Sequence, residues 1–181
     1  MIISHYYPSV LNLEKGKITN SITEYNYNIQ TSISRQLSKL NGRAMRRFDN
    51  YSDYISKRLL VENWLYYEFK NKGGIPNTRH PFYFIIGEND DLKNDFGTDA
   101  GIIQLDTDGI SKLHISFTIG DSMSVFYLDS KHRKIYTLDE IGKIINEPKT
   151  IDKIFSIIPQ KHHYIEVQLW DKKYFYIHDN K

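Results

Sequence analysis

The chain has 181 residues, 40% of them hydrophobic, with a net charge of +2 and no cysteine. That length and apolar content suffice for one domain over residues 1–181 with a sizeable core and room for a helical layer. The missing cysteines exclude a disulfide scaffold and thiolate metal sites, the small net charge does not imply a polyanion partner, and no apolar run approaches a membrane-spanning length. Met1-Ile2-Ile3-Ser4-His5 has neither the basic start nor the long apolar stretch of a secretion signal, so a cytoplasmic protein without membrane association is expected. Alanine occurs only at positions 44 and 100 while Ile, Lys, Asn and Tyr abound, the bias of AT-rich coding DNA. Scattered surface lysines and asparagines therefore carry no functional weight.

In chain order, residues 2–7 read as a strand stopped by Pro8, and 10–15 as one or two helical turns ending near Gly16. Thr31-Ser32-Ile33-Ser34 offers either a short strand or the caps of a helix running to Leu40. The spacing of Leu60, Val61, Trp64, Leu65 and Phe69 predicts a helix over about 52–72, terminated by Gly73-Gly74 and Pro76, with its apolar stripe in the core. Arg58 and Glu62, four apart on it, have the spacing of a surface ion pair. After Pro81, strands are predicted at about 82–87, 101–106, 113–119, 122–128 and 134–137. A helix over 138–146, a short helix near 151–156, and strands over 163–170 and 173–178 complete the chain. This order predicts an α+β fold: largely antiparallel sheets with an N-terminal helical layer.

Charge is uneven along this framework. Residues 31–62 carry seven basic residues against three acidic ones, and 88–108 carry seven acidic residues against Lys93 alone. The basic stretch reads as a solvated helix face, or as a nucleic-acid surface made by Arg43, Arg46, Arg47 and Arg58, although it lacks the aromatic interleaving of a single-strand platform. In the acidic stretch, Lys93 stands where a calcium loop needs its third-position oxygen ligand and no Glu closes the loop, so no metal is expected.

Four polar clusters lie at strand ends: His5-Tyr6-Tyr7-Pro8, Thr31-Ser32-Ile33-Ser34-Arg35, Phe117-Thr118-Ile119-Gly120-Asp121-Ser122, and Tyr164-Ile165-Glu166-Val167-Gln168. Each has a plain structural reading as well. His5 suits a hydrogen-bonded strand histidine, Ser32 or Ser34 a cap, and Gly120-Asp121 a hairpin turn. In the last cluster Ile165, Val167 and Leu169 alternate with Glu166, Gln168 and Trp170, so the carboxylate belongs either to a wet strand face or to the wall of a site.

Taken in order with Arg58, Glu62 and Trp64, then Arg79, Pro81 and Tyr83, then Phe96-Gly97, these pieces resemble an uncharacterised family of bacterial proteins and, through it, the ADP-ribosyltransferase-like superfamily. The resemblance covers nearly the whole chain and rests on the order of short motifs. It implies NAD held in a cleft between two small sheets by an Arg or His on an early strand, a Ser or Tyr element in the middle and a Glu on a late strand. Those roles fall on His5, on Ser32 or Ser34, and on Glu166, with the serine at 32 or 34 orienting the glutamate, Gln168 on the cofactor side, and Tyr6, Tyr7 or Tyr83 stacking on nicotinamide.

Such residues suit the chemistry. Departure of nicotinamide leaves positive charge on the ribose, which a fixed carboxylate stabilises in the transition state, and a neutral His5 can hydrogen-bond a ribose hydroxyl. Tyr164 stands where arginine-modifying transferases carry a second acidic or amide group, which argues against an arginine acceptor, and Trp170 stands where a smaller polar rim residue is expected. The expected activity is transfer of ADP-ribose from NAD to an unidentified macromolecule, or plain NAD hydrolysis. The rivals are a non-catalytic interaction domain of phage-defence or toxin-neutralising kind and the basic-face nucleic-acid binder. Asp121 and Ser122 are expected to close a tight turn beside the cleft.

Overall fold

The computed structural model describes residues 1–9, 21–97 and 99–175. Its centre is one five-stranded sheet, β1 (Ile2–Tyr7), β2 (Phe82–Ile86), β3 (Gly101–Asp106), β4 (Ile115–Ile119) and β5 (Ile165–Leu169), in the order β3-β1-β2-β5-β4. Every neighbouring pair is antiparallel. β1 pairs with β3 along its whole length, from Ile2 opposite Asp106 to Tyr7 opposite Gly101. With β2 it shares only Ile3 opposite Ile86 and Ser4 opposite Ile85. The fold is thus α+β with one sheet, but a sheet with a narrow seam between β3-β1 and β2-β5-β4.

Alternation divides the sheet into two unlike faces. Ile3, Phe84, Leu105, Phe117, Val167 and Leu169 form the apolar one, buried with Ile141 and Phe155 of helices α5 (Leu138–Ile145) and α6 (Pro148–Phe155). α5 starts at a capping box in which Thr137 and Glu140 satisfy each other's backbone N–H groups. The opposite face carries Tyr83, Ser116, Thr118, Glu166, Gln168 and Trp170, since directly paired residues share a face. Helix α2 (Tyr51–Asn71) covers it: Val61, Leu65 and Phe69 pack with Trp170, and Phe69 stacks on that indole at 5.8 Å between ring centres. A helix hides this polar face, so it is not a wet one. Trp170 is fully buried, correcting its expected place on a rim.

The 52–72 helix is present as α2, and Gly73 ends it at φ +87°, a conformation that favours glycine. Its stripe differs from expectation: Leu60 is exposed, while Ile55, Arg58, Glu62, Leu65 and Phe69 are buried. Arg58 and Glu62 are therefore not a surface pair. α1 (Tyr27–Leu37) begins before the Thr31–Ser34 segment because Asn26 caps it, accepting from Ile29 N at 3.1 Å. Ser32 and Ser34 are accordingly helix-interior residues, neither strand nor caps. Residues 122–128 are not a strand: Asp121 accepts from Met123 N at 2.9 Å and caps α4 (Ser122–Phe126), whose buried residues Ser122 and Val125 are three apart. The 134–137 strand reduces to one bridge between Tyr136 and Phe117, and Lys172–Phe175 form a 3₁₀ turn over the first residues of the expected 173–178 strand, whose residues 176–178 lie outside the described residues. The helical turns expected at 10–15 lie outside the described residues.

The acidic stretch is used locally. Asp90 and Asp91 sit in the first turn of α3 (Asp90–Asp95), where the helix dipole favours them, and Asp106 pairs with the amino group of Met1 at 3.1 Å. The basic stretch is not one helix face but is shared among α1, the turn after it, the 3₁₀ segment Arg43–Phe48 and α2. No helix among the described residues is long and apolar enough to cross a membrane.

Candidate functional site

Where β1 and β2 part, a cavity of about 940 Å³ opens, lined by His5, Tyr6, Arg47, Arg58, Tyr83, Asp121, Tyr164 and Glu166 among others. Beyond Ser4 the ladder stops, and the His5 ring takes over a backbone group that β1 would otherwise have met: Nδ1 lies 2.7 Å from the Tyr83 carbonyl oxygen. A carbonyl only accepts, so Nδ1 carries the proton and Nε2 of the neutral ring is left as an acceptor. Burial lowers the His5 pKa against the pull of that carbonyl, and the Arg47 charge adds to the lowering. Tyr6 secures the same strand end, its hydroxyl accepting from Asn89 N at 2.8 Å.

β5 brings Glu166 to the cavity from the far side of β2. Its Oε1 accepts from Gln168 Nε2 at 3.0 Å and from Ser122 N at 3.4 Å. Burial, then the charge of Asp121, push its carboxyl up to about 7 against the opposing influence of Arg58 and of these two hydrogen bonds. Asp121 itself approaches because Gly120, at φ +100°, turns the chain from β4 into α4. The Gln168 amide is fixed from behind. Its Oε1 accepts from Ser116 Oγ at 2.9 Å, its Nε2 reaches Thr118 Oγ1 at 3.2 Å, and the Trp170 indole donates to Ser116 Oγ at 2.9 Å. This buried network is satisfied link by link, which is what lets a polar sheet face lie under a helix.

β2 carries the third group. The Arg58 guanidinium lies 3.7 Å from the centre of the Tyr83 ring, and the Tyr83 hydroxyl donates to Glu62 Oε1 at 3.2 Å. Arg58 Nε donates to the same oxygen at 3.0 Å, while His80 Nδ1 bonds Oε2. Burial would raise the Glu62 carboxyl, but the His80 hydrogen bond and the Arg58 charge outweigh it and hold the pKa below the ordinary range. Tyr83 is thereby locked to α2 with its ring at the cavity.

The expected site residues thus separate. His5, Tyr6, Tyr83 and Glu166 line one cavity. Gln168 is fully buried behind it and touches Glu166 instead of a ligand. Ser34 is buried in α1 with its hydroxyl on the Thr31 carbonyl, and Ser32 faces a separate depression with Arg35 and Lys39, so neither reaches Glu166. Arg58 and Glu62 are a buried part of this site and not the expected surface pair, and His80, which the sequence does not single out, joins them; a signal for their burial exists. Continuing the Phe69-Leu65 stripe backwards at steps of four and three lands on Glu62, Arg58 and Ile55. No protein-family model, curated protein or solved structure matches the chain.

Proposed function

We propose that the chain is an ADP-ribosyltransferase-like enzyme that cleaves NAD and passes ADP-ribose to a macromolecule, or to water. The observation that carries this reading is that His5 from β1, Tyr83 from β2 and Glu166 from β5 all line one cavity at the seam of the sheet, His5 from the Ile3 side of β1 and the other two from the face under α2. The middle role of the superfamily then belongs to Tyr83, not to Ser32 or Ser34. Tyr83 offers nicotinamide an aromatic surface, and His5 Nε2 is an acceptor for a ribose hydroxyl. The bond from ribose C1′ to nicotinamide breaks with its electron pair leaving on nicotinamide, and the positive charge left on the sugar faces the Glu166 carboxylate. The acceptor's nucleophile, a macromolecular group or water, then bonds to C1′ and gives its proton to solvent. A carboxyl at about 7 is available in this ionised form above neutrality.

The test is Glu166→Gln, which keeps the volume and one acceptor oxygen but removes the charge. Nicotinamide release should slow by about 10²–10³, the loss expected for one strong electrostatic group. NAD affinity should change little, because the charge acts in the transition state. Equal turnover by both proteins would leave Glu166 a structural residue, and no nicotinamide release by wild type would favour the non-catalytic interaction domain.

A further inference from the structure

Charge is divided within the cavity. Glu166 and Asp121 stand at one part of its wall, and the segment Arg43–Phe48 brings two guanidinium groups to another. Arg43 is already engaged: Nε and Nη2 meet Asp95 Oδ2 at 3.0 and 2.7 Å. Arg58 is engaged as well, between Glu62 and the Tyr83 ring. Arg47 is different. Its guanidinium lies 5.2, 5.8 and 5.7 Å from the ring centres of Phe48, Tyr54 and Phe96, and no carboxylate among the described residues comes within ion-pair distance. Three aromatic rings therefore hold a cation at the cavity without neutralising it.

Such a group is prepared for an anion. A guanidinium offers five N–H donors in a planar fork that matches two phosphate oxygens at once. A side chain already confined by rings loses less freedom on binding than a free one. The cavity, at about 940 Å³, is near the upper end of the ligand-site range of about 300–1,000 Å³, roomy enough for more than a nicotinamide riboside. Cationic nicotinamide suits the Glu166 and Asp121 side, and the anionic middle of a dinucleotide suits the Arg47 side.

We propose that Arg47 is the diphosphate-binding residue of this cavity, recognising the two bridging phosphates of a nucleotide through its aromatic-held guanidinium. The assignment builds on the NAD-cleaving reading, but it concerns binding and is tested without turnover. Calorimetric titrations of wild type, Arg47→Gln and Arg47→Lys with ADP-ribose, ADP and nicotinamide riboside separate the two. A hydrogen-bonded charge pair contributes about 1.5–3 kcal/mol, so Arg47→Gln should weaken ADP-ribose and ADP by about 10- to 100-fold. Nicotinamide riboside, which has no diphosphate, should bind both proteins alike, and Arg47→Lys should recover part of the loss because it keeps the charge without the fork. Raising salt should weaken ADP-ribose binding more in wild type than in Arg47→Gln.

The exposed Arg47 side chain makes a folded variant the expectation, which equal melting temperatures would verify. Wild type that binds ADP-ribose through Arg47 but releases no nicotinamide from NAD would uphold the phosphate assignment and end the catalytic one. The assignment is overturned if Arg47→Gln binds ADP-ribose as wild type does, or loses nicotinamide riboside equally. It is also overturned if wild type binds no diphosphate ligand, or if a single-stranded oligonucleotide is the ligand that depends on Arg47.

Discussion

Replacing Glu166 by Gln should stabilise the protein at pH 8 while leaving it unchanged near pH 4. The carboxyl is raised in the folded state from an ordinary 4.5 to about 7, so the folded protein holds this proton more tightly than the unfolded chain does. The resulting stabilisation is fully present below about 4.5 and is lost as pH rises through about 7. At 1.36 kcal/mol per pKa unit the loss amounts to about 3 kcal/mol. Glutamine imitates the protonated acid: its oxygen keeps the bonds from Ser122 N and Gln168 Nε2, and no charge is left to desolvate. For a domain of this size about 3 kcal/mol corresponds to roughly 6–12 °C in melting temperature. Urea titrations and melts of both proteins from pH 4 to 8.5 should show curves that meet at acid pH and diverge through neutrality, with the variant above. Parallel curves, or a variant less stable at pH 8, would refute the idea that burial raises this carboxyl. Stability gained together with turnover lost would mark Glu166 as a group retained for chemistry at the expense of the fold.

Nicotinamide release by wild type should rise with pH through about 7, and Asp121→Asn should move that midpoint to lower pH, since asparagine can still cap α4 but no longer repels Glu166; an unmoved midpoint in pH–rate profiles would remove Asp121 as a cause. Gly120→Ala should cost about 1–3 kcal/mol in urea unfolding, because the backbone is at φ +100° and a Cβ would meet Gln160 Oε1 at 2.8 Å and Ile158 Cδ1 at 2.9 Å. Glu62→Ala, which strands the buried Arg58, should cost about 3–5 kcal/mol, against a much smaller change for Asp53→Ala in the exposed Lys57–Asp53 pair; similar denaturation midpoints for the two variants would contradict the buried network.

How far the amino-acid sequence discloses this arrangement depends on the range of the interaction concerned. β1, β3 and the core of β5 are legible because alternation and Pro8 act within a few residues. α4 reads as a strand because Met123, Val125 and Tyr127 alternate like one, while the deciding group is the Asp121 cap. α1 reads as starting late because Thr31–Ser34 offers several caps, whereas the actual cap, Asn26, lies upstream of that segment. The position of Glu166 on a strand face opposite Val167 was readable, but whether that face is wet was not. The same alternation serves a solvated face and one covered by a helix, and α2 comes from about a hundred residues upstream in the chain. Arg58 and Glu62 belong to the same difficulty: charge argues for the surface, spacing argues for the core, and only the partners on β2 and at His80 decide between them.

The fixed chain of donors behind Glu166 also makes the protein its own optical indicator. Trp170 and Trp64 are its two indoles, and Trp170 is sealed from solvent, three hydrogen bonds from the carboxylate by way of Ser116 and Gln168. Loss of the Glu166 proton changes the field along the whole relay, and with it the electronic transition of an indole that bulk water cannot quench. Emission from Trp170 is therefore a label-free readout of the charge state at the cavity, available during a titration without any ligand, and Trp64→Phe isolates it from the second, half-buried emitter packed on Phe126.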